Sequence, residues 1–445
     1  MRSTSGIAET VEWDDDDGSD GKHERLGKAQ RSGGRPLRVA LVVPPYFDVP
    51  PAAYGGVEAV VADLADGLVG QGHQVYLIGA GKPGTAATFV PVWDRIVPEL
   101  LGEPYPEVMH AIAARRAVQR LADEVGLDVV HDNTLSGPLN AAAYAQHGLP
   151  TVVTVHGPVD GEMFRYYREL GPDVSLVAIS HRQRTLAADL NWVGTVHNAL
   201  RLDTWPYRED KEDFALFLGR YHPNKAPHLA LDAAHAAGLP MVLAGKCAEP
   251  IEKQYFDREV APRLTDQDHV FGVADAVAKR DLLSRARCLL FPVQWEEPFG
   301  MVMIEAMACG TPVVALRCGA VPEVVQHGVT GLICDTPEEL PAALAEVTRL
   351  DPGACRKLVA EEFSAQEMAR GYERAYWAAL TMHGRRDQEP RGKGGLRSRV
   401  TLADLAALGE LRQLNPVRGL ATRPPDRATG SKGKPLASGG PMIAV

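Results

Sequence analysis

Short apolar runs alternate with amphipathic segments along most of this chain. Residues 37–43 form a nearly continuous apolar run of strand length. The apolar residues that come next lie at the spacing of one helical face: Val60, Val61, Leu64 and Leu68. The same rhythm of strand-like run and helix-like segment continues to about residue 383. Strands and helices that alternate in this way predict an α/β fold, with parallel sheets covered by helices on both faces.

The alternation stops once and then starts again. Residues 199–213 are charged and irregular, and a new apolar run begins at residue 214. We therefore predict two doubly wound, Rossmann-like domains that face a cleft, with a linker between them. The predicted parts are residues 37–198 for the first domain, 199–213 for the linker, 214–363 for the second domain and 364–383 for a final helix.

Both ends of the chain lack this periodicity. Residues 1–36 include the acidic run Asp14-Asp-Asp-Asp17, and residues 384–445 are rich in glycine, proline and basic residues. Segments of this composition bury too little apolar surface to offset the entropy of ordering. We therefore predict disordered tails, with one helical pattern at residues 401–411.

The composition is that of a globular protein, with 45% hydrophobic and 23% charged residues among 445. The chain has no apolar run of 18 residues and begins with polar and acidic residues, so we expect neither a transmembrane helix nor a secretory signal. None of the six cysteines is paired as Cys-x-x-Cys. Reduced, buried thiols in a cytoplasmic protein are therefore the expectation.

Charge is spread unevenly along the chain, whose formal net charge is −10. From residue 384 onward there are 12 Lys and Arg against 5 Asp and Glu, so this tail carries about +7 and the rest about −17. An acidic body argues against a nucleic-acid-binding protein. The basic tail leaves open a peripheral contact with acidic lipid, although a solubilising role is the favoured interpretation.

The most informative stretch runs from residue 294 to residue 314. It holds Glu297 and Glu305 with seven residues between them, and a Pro-Phe-Gly turn ending at Gly300 leads into a helix. Pro298 suits a first helical turn, because its missing N–H would have no acceptor there anyway. Glycine lets the backbone approach a ligand closely, so the amides of Met301 and Val302 at the helix start predict an anion site. By itself, a pair of glutamates at this spacing is more often a solvated helix face.

Other candidate residues lie where predicted strands end. In parallel α/β sheets, ligands bind at the carboxyl ends of the strands. Gly55 and Gly56 follow the first strand, His156 ends an apolar strand, and Arg220 and Lys225 follow the first strand of the second half. Three further residues at strand ends or cleft loops are weaker candidates: Asp160, Ser180 and Asn198.

Taken together and in order, these motifs resemble those of the retaining GT-B glycosyltransferases of the family-4, glycogen-synthase and mannosyltransferase type. The resemblance covers about residues 37–383. Its motifs here are Tyr54-Gly-Gly-Val-Glu58, His156, Gly219-Arg220 with Lys225, and Glu297-Pro-Phe-Gly followed after four residues by Glu305-Ala-Met-Ala-Cys-Gly-Thr-Pro. It implies two Rossmann-like domains and a final helix that crosses back to the first domain.

The resemblance also implies a function and a set of roles. The substrate is a nucleotide-diphospho-sugar, most often a UDP-sugar, and neither a metal nor a cofactor is required. Donor binding falls to Gly55, Gly56, Arg220, Lys225, Gly300, Met301, Val302 and Glu305. Glu305 corresponds to the carboxylate that binds the ribose hydroxyls. His156 and Glu297 correspond to residues near the sugar and the reaction centre.

Two positions depart from the family pattern. The usual Asn-Gly-Ile-Asp at the end of the first domain is Asn198-Ala-Leu-Arg201, and the glycine that often follows the basic-loop lysine is Ala226. The acceptor is not identified, and a sugar, a lipid-linked sugar and a small molecule all stay open. Two alternatives stay open: another GT-B nucleotide-sugar enzyme such as an epimerase, and a nucleotide-sugar-binding protein that has lost catalysis.

Overall fold

The computed structural model describes residues 35–82 and 84–388. The predicted tails therefore fall almost entirely outside the described residues, as does the helical pattern at 401–411. Within the described part, no helix is both long and apolar enough to cross a membrane.

The first half of the chain forms a seven-stranded parallel sheet. Its strand order is β3-β2-β1-β4-β5-β6-β7, so the first strand is central and the chain winds outward in both directions. The strands are β1 Arg38–Val42, β2 Gln74–Gly79, β3 Thr88–Pro91, β4 Val129–Asp132, β5 Thr151–Val155, β6 Val174–Ala178 and β7 Trp192–Thr195.

The second half repeats this plan with six parallel strands in the order β10-β9-β8-β11-β12-β13. The strands are β8 Ala215–Leu218, β9 Met241–Ala244, β10 His269–Gly272, β11 Cys288–Phe291, β12 Val313–Leu316 and β13 Gly331–Cys334. Two Rossmann-like sheets confirm the predicted fold class.

Helices cover both faces of each sheet. They are α1 Gly56–Gly70, α2 Pro104–Glu124, α3 Ala141–Ala145, α4 Gly161–Glu169, α5 His181–Leu186, α6 Pro227–Ala236, α7 Pro250–Tyr255, α8 Ala276–Arg285, α9 Met301–Ala308, α10 Val321–Val324, α11 Leu340–Glu346, α12 Pro352–Glu362 and α13 Ala365–Gln388.

β1 illustrates why the strand patterns are continuous rather than alternating. Val39 and Leu41 pack into the core under α1 and α13, whereas Ala40 and Val42 pack into the core under α2. Successive side chains of a strand point to opposite faces, so a strand buried on both faces must be apolar throughout.

The chain passes between the two halves at the linker and again before α13, and these two segments lie side by side. The linker residue Leu200 forms a parallel bridge with Ser364, and its amide donates to the Phe363 carbonyl at 3.1 Å. α13 then packs along α1 and places Tyr372 and Tyr376 in the core of the first half. The final helix therefore crosses back to the first domain, as the resemblance implies; the predicted domain boundaries themselves stay a prediction.

Candidate active site

A cavity lies between the two sheets, at the ends of β1, β5, β8 and β11. Its lining includes Tyr54, Val57 and Asn198 from the first half and Phe217, Trp295 and Phe299 from the second. Eight of the ten predicted site residues also line it: Gly56, His156, Arg220, Lys225, Glu297, Gly300, Met301 and Val302. The other two lie close by, since Gly55 immediately precedes α1 and Glu305 lies one turn into α9.

The start of α9 is shaped by Gly300. This residue has a left-handed backbone with φ of 83°, and a Cβ there would come within 2.9 Å of the Phe291 ring. The helix begins at Met301. Pro298 therefore lies in the turn before the helix, whereas the sequence had suggested that it lies in the first helical turn. The first amides of a helix have no intrahelical acceptor, which makes the Gly300–Val302 backbone suitable for an anion.

Glu297 is fixed by two donors. The Lys225 ammonium forms an ion pair with its Oε2, and the Trp295 indole Nε1 donates to the same oxygen at 2.8 Å. The Lys225 nitrogen also lies 5.3 Å from the centre of the Trp295 ring. The basic loop and the glutamate of the second domain are therefore one hydrogen-bonded unit, which Trp295 completes.

The Arg220 side chain is oriented by the carboxylate of Glu252. Its guanidinium lies 3.8 Å from Oε1 of Glu252, whose side chain is fully buried. The other oxygen of Glu252 accepts the backbone amides of Ala248 and Glu249 at 2.9 and 3.1 Å. The glutamate is thus anchored by the start of α7 and holds the arginine at the edge of the cavity.

Glu305 is buried and forms an ion pair with Lys279 of α8, at 2.6 Å between Nζ and Oε1. Lys279 also lies over the Trp205 ring, with 5.2 Å from Nζ to the ring centre. A ligand that hydrogen-bonds to Glu305 must therefore share this carboxylate with Lys279.

His156 is oriented by an amide. Its Nε2 lies 3.0 Å from Oδ1 of Asn133, and Nδ2 of Asn133 donates to the Val42 carbonyl at 3.1 Å. Since the amide oxygen can only accept, His156 carries its proton on Nε2 and leaves Nδ1 as an acceptor. Burial lowers the pKa of His156 to about 4, so the ring is neutral at pH 7.

The loop after β1 reaches across to the second half. The Ala276 amide, at the start of α8, donates to the Ala52 carbonyl at 3.2 Å, and Lys246 lies 5.9 Å from the centre of the Tyr54 ring. Gly55 has φ of 138° and is enclosed by Pro51, whose Cβ would be 3.0 Å from an added methyl. The loop therefore closes one side of the cavity.

Of the three weaker candidates, one lines the cavity. Asn198 lines it and is 5% exposed. Ser180 instead caps α5 by accepting the Gln183 amide at 3.0 Å, and Asp160 directly precedes α4. Ser180 and Asp160 are not among the lining residues. A position at a strand end is therefore not enough to predict that a residue lines the cavity.

Ala226 marks a backbone position that normally favours glycine. It is fully buried and has φ of 50°, in the left-handed region. A non-glycine residue there costs roughly 1–2 kcal/mol, which gives a physical reason for the glycine often found at this position in the family. The turn is nevertheless formed, and Lys225 still reaches Glu297.

The sequence prediction lacked the side chains that hold the predicted site residues in place, among them Asn133, Glu252, Lys279 and Trp295. Asn133 directly follows β4 and Trp295 lies four positions after the end of β11, and a place after a strand end is a signal that could have been used. The sequence around Glu252 indicates only the start of a helix, since Glu249 and Glu252 form a capping box. That signal points to local structure and not to a partner for Arg220.

The fold and the cavity define a GT-B protein, and comparison with known families agrees. A model described as "Glycosyl transferases group 1" matches residues 204–360, and a model described as "Glycosyltransferase Family 4" matches residues 54–201. Together they span most of both sheets. The chain belongs to the group 1, family-4 glycosyltransferases.

Individual curated relatives match this chain over only part of its length. The D-inositol 3-phosphate glycosyltransferases of Mycobacterium bovis and Mycobacterium tuberculosis are 30% identical over 219 residues, which is 47% of this chain and 45% of theirs. The chain thus matches less than half the length of these curated relatives.

Solved structures cover more of the chain. AviGT4, a glycosyltransferase involved in avilamycin A biosynthesis, is 28% identical and aligns over 78% of this chain and 98% of its own, with a TM-score of 0.59. A sucrose-phosphate synthase from Thermosynechococcus elongatus has the same TM-score at 17% identity, over 79% of this chain and 98% of its own, and supports the fold alone.

Proposed function

We propose that this protein is a retaining, metal-independent glycosyltransferase that moves a hexose-type sugar from a UDP-sugar to an acceptor. The observation that carries the proposal is the meeting of Arg220, Lys225 and the start of α9 with His156 at one cavity. Two cations and an open helix start suit a diphosphate, and a neutral imidazole across the cleft suits a sugar.

Charge development explains the residue types on the second domain. A leaving nucleoside diphosphate gains negative charge as the bond to the sugar breaks. Arg220 offers a planar fork of donors, Lys225 a point charge, and the Gly300–Val302 amides fixed dipoles. Preorganised donors of this kind supply several kcal/mol of transition-state stabilisation, on the order of 3 kcal/mol for each donor. Such a site needs no divalent cation to balance the diphosphate.

Lys225 changes partner in this proposal. Before the donor binds, its ammonium is neutralised by Glu297. A diphosphate carries more charge than one carboxylate and draws the ammonium away, whereas the Trp295 indole remains on Glu297 and keeps it in place. Glu297 can then accept a hydrogen bond from a sugar hydroxyl.

The nucleoside end of the donor is assigned to Glu305. A carboxylate has about four acceptor sites, so Glu305 can take the ribose hydroxyls and keep its ion pair with Lys279. Gly55 and Gly56 bring the backbone of the first domain towards the phosphates from the opposite side.

Retention of the anomeric configuration is what the family resemblance implies, and the side chains of the cavity bear on how it would be achieved. A double displacement of the glycosidase type needs two carboxyl groups, one as nucleophile and one as acid. Among the described residues that line the cavity, Glu297 is the one carboxylate, and the Trp295 indole still holds it once Lys225 has moved to the diphosphate. We therefore favour same-face attack, in which the acceptor oxygen bonds to the sugar and its proton passes to the leaving phosphate.

His156 serves as an acceptor and not as a charged acid in this scheme. Its Nδ1 is free to accept a sugar hydroxyl, because Asn133 holds the proton on Nε2. The choice of UDP rests on its frequency in the family. The loop at 44–54 and the region 158–171 are expected to shape the acceptor side.

The proposal is tested first by binding. Nucleotide sugars are screened by thermal shift, since a ligand of the native state raises the melting temperature with concentration. The best donor is then offered with candidate acceptors in the presence of EDTA, and the product anomer is read by NMR. We expect UDP-sugars to give the largest shift, and an α-linked product from an α-linked donor. Inverted product would contradict the mechanism, and so would transfer that EDTA abolishes and that Mg²⁺ or Mn²⁺, but not Zn²⁺, restores.

The two alternatives give different results in the same assay. An epimerase converts the nucleotide sugar without an acceptor, and a non-catalytic binder shows a thermal shift but neither transfer nor hydrolysis. Measuring the conversion and hydrolysis of the donor alone, before any acceptor is added, separates these outcomes from glycosyl transfer.

A further inference from the structure

Behind the cavity, three side chains with metal-ligating atoms meet at the junction of the two domains. His181 and His197 belong to the first half, and Glu323 lies on α10 of the second half. One ligand atom from each lies within 4.8 Å of the others. None of the three is a lining residue of the cavity. We call this group the interdomain cluster.

The cluster is already ordered by contacts on several sides. Nε2 of His197 lies 3.0 Å from Oε2 of Glu323, and the two histidine rings stand nearly perpendicular, at 87°, with centres 5.6 Å apart. His197 also packs beside Phe299 and Phe363, at 5.9 and 5.7 Å between ring centres. Its ring is therefore held in place before any ligand arrives.

We propose that the interdomain cluster is a binding site for a transition-metal ion of the zinc class. Two imidazoles and one carboxylate are a donor set that zinc takes in proteins, with bonds of about 2.0–2.2 Å and a fourth position for water. Ligand atoms around such an ion are separated by about 3.3 Å. The His197–Glu323 pair, at 3.0 Å, is already near that spacing, and a rotation of exposed His181 completes the set.

The carboxylate has room for an ion. Glu323 accepts the His181 and Arg182 backbone amides at 2.7 and 2.6 Å, one on each oxygen, and His197 on Oε2. An ion would take the place of the proton that His197 Nε2 donates to Glu323, because ligating imidazole nitrogens must be deprotonated. The two amide bonds can stay, since a carboxylate has about four acceptor sites.

Such an ion would bear on the candidate active site without touching substrate. Phe299, which packs on His197, belongs to the Pro-Phe-Gly turn that leads into α9. Arg182, next to His181, forms a two-point ion pair with Glu296, which precedes Glu297. An ion that binds ligands from both domains favours the arrangement in which they are together. Metal binding at this site would therefore be coupled to the relative placement of the two domains.

The test uses the full chain stripped with a chelator and then titrated with Co²⁺, followed by Zn²⁺ competition. We expect a saturable site with one equivalent of Co²⁺, the visible absorption of a four-coordinate cobalt ion, and loss of that signal when Zn²⁺ is added. The melting temperature should rise with Zn²⁺ concentration. These readouts do not depend on glycosyl transfer, so they stand whether or not the proposed function holds.

His181→Gln is the decisive variant, because His181 is exposed and its loss should leave the fold intact. It should weaken Co²⁺ binding by at least about tenfold, since even the loss of an outer partner costs a metal site that much. His147→Gln, which changes an exposed histidine just after α3, is the matched control and should bind as the wild type does. Equal affinity in His181→Gln and wild type, or no saturable site in the wild type, would overturn the proposal.

Discussion

The two halves of this molecule have the same strand plan but give opposite chemistry to the cleft. In each half the first strand is central and is followed by a loop and a helix. After β1 this loop contributes Gly55 and Gly56, which are uncharged, whereas after β8 it contributes Arg220 and Lys225. A shared fold therefore fixes where ligand groups lie, but it does not fix what they are.

The contrast continues at the other strand ends. On the second half, Arg220, Lys225 and Glu305 each have an oppositely charged partner. On the first half, His156 is neutral and its partner Asn133 is an amide. We infer that one side of the cleft binds the charged donor and that the other positions the uncharged sugar. The predictions below test this division.

The largest effect is expected from Lys225→Ala. Losing one preorganised cation at the diphosphate should lower kcat/KM for the donor by roughly 10²–10³-fold, as measured by initial rates of transfer. Lys253→Ala, which removes an exposed lysine on α7, is the control and should be within error of the wild type. Near-normal activity in folded Lys225→Ala would contradict the inference that the charged residues of the second half bind the donor.

Glu252→Gln should have the next largest effect, because it takes away the charge that orients Arg220. Hydrogen bonds and ion pairs of buried charged groups contribute about 2 kcal/mol, so we expect that loss in the free energy of unfolding, measured with urea. Donor kcat/KM should fall about tenfold, which corresponds to about 1.4 kcal/mol. Glu361→Gln, at an exposed ion pair with Lys357, serves as control. If Glu252→Gln behaves like that control, Arg220 is oriented by something else.

His156→Gln tests the neutral side and should lower kcat/KM about tenfold, the cost of one hydrogen bond of about 1.4 kcal/mol. Because the pKa of His156 is about 4, its ring is uncharged from pH 8 to pH 5. The ratio of wild-type to variant kcat/KM should therefore be flat over that range. A ratio that changes near pH 6.5 would mean that the imidazolium is the active form.

The same variant has a predicted effect on stability against pH. The folded pKa of His156, about 4, lies below its ordinary value of 6.5, so the unfolded chain binds more protons between these two values. Wild-type protein should thus lose stability relative to His156→Gln as the pH falls from 6.5 towards 4. Paired urea titrations at pH 7.5 and pH 5 measure this difference, and the opposite sign would contradict the burial of a neutral ring.

Asn133→Asp sharpens the comparison by adding a charge to the neutral side. A carboxylate beside Nε2 favours the imidazolium and should raise the pKa of His156. We expect a loss of activity of only a few-fold at pH 8, where the ring stays neutral, and a larger loss at pH 6. NMR titration of the His156 ring measures the shift directly. An unchanged pKa would mean that Asn133 does not hold the His156 proton.

Much of the fold could be predicted from the sequence because burial on both faces imposes a visible pattern. A strand such as β1, covered by helices on either side, must be apolar throughout, and the break at residues 199–213 interrupts that pattern. Eight of the site residues were found because they stand beside strand ends or the Gly300 turn. Helix starts were less certain: Pro298 favours a first turn, yet the left-handed Gly300 delays the helix to Met301.

The sequence by itself determined the fold class, the family and the positions that face the cleft, since these depend on local periodicity and on short motifs. Only the tertiary structure decided the partners. Glu252 pairs with Arg220 across 32 positions of the chain, Asn133 with His156, and Glu323 with the histidines of the other domain. Such pairs depend on how distant strands are ordered in each sheet and on how the two sheets meet. No local pattern carries that information.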